Sequence, residues 1–222
     1  MRVAIVAEPA AATLAGLDGS FEWGEAMTAA PDAVPDAEVV LTLADEGILT
    51  AGGSLWSRAA WPVRDDLFER PAPGEGLLVV GDAESHAGLL AKLANRGIPH
   101  RAVAHPSAGD VIAAAAVAFA PAPGGDGKYV PGALKDAVPE RAFAALAAHR
   151  PLILPRARIT FGLLPGSDHL PASTDDEVVQ YADALLSHPH AFGIQVALGR
   201  IAAERQRAST VYGRLVAELA AA

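Results

Sequence analysis

A chain of 222 residues, 51% hydrophobic and 19% charged, is too short for three full domains, has the apolar material for a buried core and lacks the compositional signature of disorder. Its formal net charge of −9 is carried by residues 1–75, where four Arg stand against thirteen Asp or Glu, and the balanced remainder has no basic run, which speaks against a nucleic-acid partner. The absence of cysteine excludes disulfides, thiolate metal sites and Cys nucleophiles and favours a cytoplasmic setting, while no apolar run has the length of a membrane span and the opening residues do not read as a signal peptide.

Short β-rich runs bounded by turn residues are predicted at Val3 to Ala7, Glu38 to Leu43, Leu77 to Gly81, Arg101 to Ala104, Val117 to Ala120 and Leu152 to Leu154. Segments of helical period lie between the later ones, the pattern of an α/β fold with a parallel, Rossmann-like sheet. Ser85 to Asn95 places Leu89, Leu90, Leu93 and Ala94 on one stripe before Gly97 and Pro99 stop it. Thr174 to Glu177 reads as a capping box opening a helix that buries Val178, Tyr181, Ala182, Leu185 and Leu186 and ends at His188-Pro189. A last helix is predicted from about Ala191 to Ala220, with a break near Ser209-Thr210. Phe68 to Gly76, rich in Pro and Gly, reads as a linker and coincides with the step in charge. The expected organisation is therefore a reduced acidic lobe over 1–72 and a Rossmann-like domain with a C-terminal helix over 73–222.

Four ordered blocks carry a family resemblance. Leu77-Leu-Val-Val-Gly81 precedes a helix and Gly97-Ile98. Arg141-Ala-Phe143-Ala-Ala-Leu146-Ala-Ala-His149-Arg-Pro151-Leu-Ile153 resembles an R-x-F-E-A-L-A-x-G-x-P-L-I helix-to-strand block. Gly166-Ser-Asp168-His-Leu170 resembles a G-x-D-x-L turn before a capped helix, and Thr210-Val-Tyr212-Gly-Arg214-Leu215 a closing T-Y-x-x-R-L. Together they resemble the C-terminal donor-binding domain of GT-B glycosyltransferases, of the group 1 or CgeB-like type. The resemblance implies transfer of a hexose-like sugar from a nucleotide-sugar donor to an acceptor that the sequence does not name, without a metal or other cofactor. The chain departs from the pattern in three places. Ala144 stands where the family carries the Glu expected to bind the donor ribose, His149 replaces a glycine, and 70 residues are too few for a full acceptor domain. A non-catalytic binding or assembly module that has lost the ribose carboxylate is therefore the alternative, and a nucleotide or sugar-phosphate binding protein unrelated to transfer is a third reading.

A diphosphate leaving group needs neutralising, and helix-start amides with glycine-flanked cations supply this. Two loops qualify. Gly124, Gly125 and Lys128 follow a predicted strand, without the spacing of a Walker A motif, and Glu140-Arg141 opens the next helix behind Pro139. Glu140, one turn before Ala144, offers a displaced carboxylate. Gly81, Ser85 and His86 follow the first strand of the larger domain and face a sugar or phosphate there, and His105 follows the next one, where a base would lie. For an inverting transfer the base is expected from the first lobe, where Glu8 and Asp18 are named beside His86 as catalytic candidates. No histidine cluster has metal-ligand spacing. Trp23, Trp56 and Trp61 all fall in the small lobe, from which a homodimer through that lobe is expected.

Overall fold

The computed structural model describes residues 63, 65–69, 73–120, 128–129, 138–156, 163–207 and 209–211, together with the backbone of short strands at 3–7, 26–29, 39–43, 50–51 and 54–55. The chain divides into two compact units, Met1–Asp66 with Glu204–Ala222, and Leu67–Ala203. In the first, strands β1 (Val3–Ala7), β2 (Ala26–Ala29) and β3 (Val39–Leu43) form a parallel sheet in the order β2-β1-β3, and β4 (Thr50–Ala51) pairs with β5 (Ser54–Leu55) antiparallel. The buried Val63 bridges Arg207 and donates its amide to the Gln206 carbonyl at 2.7 Å.

The second unit is mixed α/β and Rossmann-like. Its elements are β6 (Leu77–Val80), α1 (Ala87–Asn95), β7 (His100–Val103), α2 (Ala108–Ala113), β8 (Ala116–Phe119), α3 (Val138–Ala147), β9 (Leu152–Pro155), β10 (Leu170–Ala172), α4 (Asp175–Ser187), a 3-10 turn (Pro189–Phe192) and α5 (Gly193–Glu204). Five parallel strands lie in the order β10-β9-β8-β6-β7. Burial follows that order. Every residue of β6, β8 and β9 is buried, because a central parallel strand is covered on both faces and must read as an unbroken apolar run. The two edge strands are half-exposed, and β10 accommodates Pro171, whose missing donor is tolerated only at an edge. That proline breaks the period-2 signal, and β10 was not expected from the sequence.

Helices α1 and α4 pack together over one face and α2 and α3 over the other. Leu89 and Leu93 of α1 and Val178, Ala182 and Leu185 of α4 join Leu77, Val79, Ala116, Ala118 and Ile153 in a single core. Ala94, expected on that stripe, is exposed. On the opposite side, Ala142 to Ala148 are all buried, with Phe143 and Leu146 as the large side chains and alanines between them that let the rest of α3 pack closely. Thr174 caps α4 as expected, accepting the Glu177 amide at 3.2 Å, while Glu177 reaches one residue further back than a standard capping box, to the Ser173 amide.

The last helix departs from expectation. Here α5 ends at Glu204 and the backbone turns at Arg205–Gln206, ahead of a short helical segment at 209–211. The Gln206 carbonyl is held by the Val63 amide and the Ser209 amide donates to Asp65 at 3.1 Å. The helix thus stops ahead of the small and β-branched residues at Ser209-Thr210, and the chain beyond it bonds to partners distant in sequence.

Candidate functional site at the carboxyl edge of the sheet

From β6 the chain winds outward to β7, then returns across β6 to β8 and continues to β9 and β10. The strands β6 and β8 are therefore neighbours from which the connections depart in opposite directions. In doubly wound folds the crevice beyond the carboxyl ends of such a pair is where ligands bind.

His86 spans this point. Its Nδ1 lies 2.7 Å from the Asp82 carbonyl and its Nε2 hydrogen-bonds to the carbonyl of Ala120, the residue after β8. The ring is buried and lies over Gly81, where a β-carbon would overlap ring atom Cε1. Gly81 also has φ +152°, a backbone that disfavours any side chain. Asp82 completes the turn. Its Oδ1 accepts the Ser85 amide at 2.7 Å, and hydrogen bonding to Ser85, from the amide first and then the hydroxyl, holds its carboxyl below the usual carboxylate range.

Two helix starts face this edge with different electrostatics. The first turn of α1 holds no acid and its N-cap, His86, makes no side-chain capping bond, and the carboxylate of Asp82 sits ahead of the cap, on the Ser85 amide. That of α4 carries Asp175, Asp176 and Glu177 behind the Thr174 cap and is already neutralised. Lys92 of α1 pairs with Asp176 at 2.8 Å. Tyr129 donates its hydroxyl to Asp175 at 2.9 Å in a buried contact, and burial, reinforced by Asp175, pushes the phenol well above its ordinary range. The Tyr129 amide donates to the Ser173 carbonyl at 2.8 Å and Lys128 bridges Thr174. Residues 128–129 are thus tied to the end of β10. Arg141, in the first turns of α3, donates from Nη2 to Nδ1 of His105, beyond β7, at 3.0 Å.

Gly81, Ser85, His86, Lys128 and Arg141 therefore lie along the carboxyl edge, with Ser85 and Lys128 exposed and His86 buried. Glu140 lies in α3, but its side chain is outside the described residues. Gly124 and Gly125, the candidates that precede Lys128 in its loop, are outside them too, as are Glu8, Asp18 and the three tryptophans. Asp82 and the Tyr129–Asp175 pair were not singled out from the sequence. Asp82 carried a signal, an Asx-type turn directly after a strand, but nothing local announces a contact between residues 46 positions apart.

No protein-family model matches the chain, and no curated protein does. Among solved structures it is similar to the pneumococcal O-GlcNAc transferase GtfA, determined in complex with UDP and GlcNAc, with a TM-score of 0.39 and 11% identity. The match covers 67% of this chain and 37% of that one. The present chain therefore corresponds to little more than a third of the length of that transferase.

Ala144 has 0% exposure. The position where the resembling family carries a ribose-binding carboxylate is here inside the protein, where a carboxylate would lose its hydration. Among the described residues no group of three His, Asp or Glu side chains has the geometry of a metal site, and no helix is long and apolar enough to cross a membrane.

Proposed function

We propose that the 67–203 unit is the donor-binding part of a GT-B-type glycosyltransferase and holds the diphosphate of a nucleotide-sugar at the carboxyl edge of its sheet. The observation that carries this reading is that the connections leave the parallel neighbours β6 and β8 in opposite directions across the sheet, beside an α1 start that lacks first-turn acids. The four blocks of family resemblance add the chemical class. In this reading the amide end of α1, Arg141 and Lys128 take up the negative charge that develops on the leaving diphosphate as the bond to the sugar breaks. His86 ties the Gly81 turn to the end of β8 and keeps the crevice in shape. The base that accepts the acceptor's proton is drawn from the first unit, with Glu8 and Asp18 as the candidates. A homodimer through that unit belongs to the same reading.

The test is calorimetric titration of the full chain with nucleoside diphosphates and their sugars. Binding below millimolar by at least one base, with the free nucleoside much weaker, is expected. No binding by any member would overturn the reading.

One observation favours a second reading. With Ala144 buried in the core, the donor ribose has no carboxylate at the family position, as in a module that binds the nucleotide without transferring its sugar. Donor hydrolysis separates the two, because a transferase deprived of acceptor leaks sugar to water and a binding module leaves the donor intact.

A further inference from the structure

Arg141 and His105 are 36 residues apart, yet the guanidinium Nη2 of one lies 3.0 Å from Nδ1 of the other. An arginine side chain has donors only, so Nδ1 must be the acceptor and the His105 proton must sit on Nε2. His105 is exposed just beyond β7, and Arg141 is half-buried near the start of α3. The contact therefore joins the end of an edge strand to the start of a helix on the far side of β6. Arginine offers five N–H donors in a planar fork, and its long stem carries a large rotamer entropy that is lost when the fork is fixed on a phosphate. A partner that fixes the stem beforehand lowers that loss.

We infer that His105 is a positioning residue that holds the Arg141 guanidinium ready for a diphosphate. The inference rests on the donor-site reading above. His105 acts through the arginine and does not itself touch the phosphate. Arg101, the arginine of β7, is committed elsewhere, donating to Asp110 Oδ1 at 2.6 Å within the Ser107 capping box.

The test uses the full chain and four forms: wild type, His105→Ala, His105→Asn and Arg141→Ala. Asn places an amide oxygen close to where Nδ1 stands and restores the acceptor without the ring. ADP, GDP, UDP and TDP are titrated together with the matching nucleosides. His105→Ala is expected to weaken the best-binding diphosphate by about 3- to 10-fold, the scale of one hydrogen bond. His105→Asn should return it to within about 2-fold, with nucleoside affinity unchanged throughout. Without any ligand, the NMR signals of the Arg141 guanidinium, assigned by their loss in Arg141→Ala, should show rotation about Cζ–Nε that is faster in His105→Ala than in wild type and His105→Asn. Equal diphosphate affinity in His105→Ala and wild type, beside a weakened Arg141→Ala, overturns the inference and leaves the donor site standing. Rotation unaffected by His105→Ala also overturns it. Unchanged binding in Arg141→Ala, or no diphosphate bound at all, overturns the placement of the phosphate and this inference with it.

Discussion

At the end of α3, His149 occupies the position that Gly97 occupies at the end of α1. Gly97 has φ +71° and is followed by Ile98, whose amide donates to the Leu93 carbonyl at 3.0 Å. His149 has φ +57° and is followed by Arg150, whose amide donates to the Ala145 carbonyl at 2.8 Å. Both helices close in the same left-handed cap, with the amide of the capping residue also turned back, to Ala94 in one and Leu146 in the other. Glycine adopts this conformation at little cost, whereas a β-carbon is crowded against the neighbouring carbonyl.

His149→Gly is therefore expected to stabilise the protein by about 1 kcal/mol, less the added entropy of the unfolded chain. Urea denaturation monitored by circular dichroism measures it. An unchanged or lowered midpoint would show that contacts of the imidazole outweigh the backbone strain. This is also the position at which the resembling family block carries glycine.

Gly81 and His86 form a tighter pair, because a β-carbon at one overlaps the ring of the other. Gly81→Ala should cost roughly 1–3 kcal/mol, the range for a residue forced into a sparsely populated backbone or a steric conflict. In a double-mutant cycle the loss should shrink in a His86→Ala background, where the ring is gone. Additive losses would mean that backbone strain alone is responsible.

His169 is fully buried and neither ring nitrogen has a hydrogen-bond partner among the described residues. Burial pushes it from 6.5 down to about 4, against a smaller opposing pull from Asp168. Below pH 6.5 the unfolded chain takes up this proton and the folded one does not, so stability present above that pH is lost as the pH falls towards 4. The loss should approach roughly 3 kcal/mol near pH 4. His169→Leu should remove this acid sensitivity without destabilising the protein at pH 7.5. Denaturation midpoints at several pH values decide it, and identical pH profiles for the two proteins would exclude His169 as the source.

Lys128→Ala and Arg141→Ala should each weaken nucleoside diphosphate binding by roughly 1–3 kcal/mol, the range for a charged hydrogen-bonded partner. The nucleoside should bind almost as before. Equal losses for nucleoside and diphosphate would show that the phosphates lie elsewhere.

The sequence by itself determined the parallel α/β class, since β6, β8 and β9 had to be continuous apolar runs and α1 and α4 carried helical stripes with recognisable stop and cap signals. These are local properties, set by side-chain period and turn chemistry within a dozen residues. It also determined that the turn after β6 and the start of α3 hold candidates for ligand contact, because strand-to-helix connections in such folds gather at one edge. Only the tertiary structure decided the strand order, which depends on the hand of each crossover and on which apolar faces meet. The same holds for β10, hidden by Pro171, and for the early end of α5, beyond which Val63 and Asp65 bond to Gln206 and Ser209. His86 reads from the sequence as a catalytic candidate facing the ligand, yet the distant Ala120 carbonyl makes it a buried strut. Arg141 reads as a cation at a helix start, and that His105 holds it was decided by the sheet, which brings the end of β7 and the start of α3 together. Ala144 reads as a lost carboxylate, and its complete burial reflects the packing around α3, which no local pattern encodes.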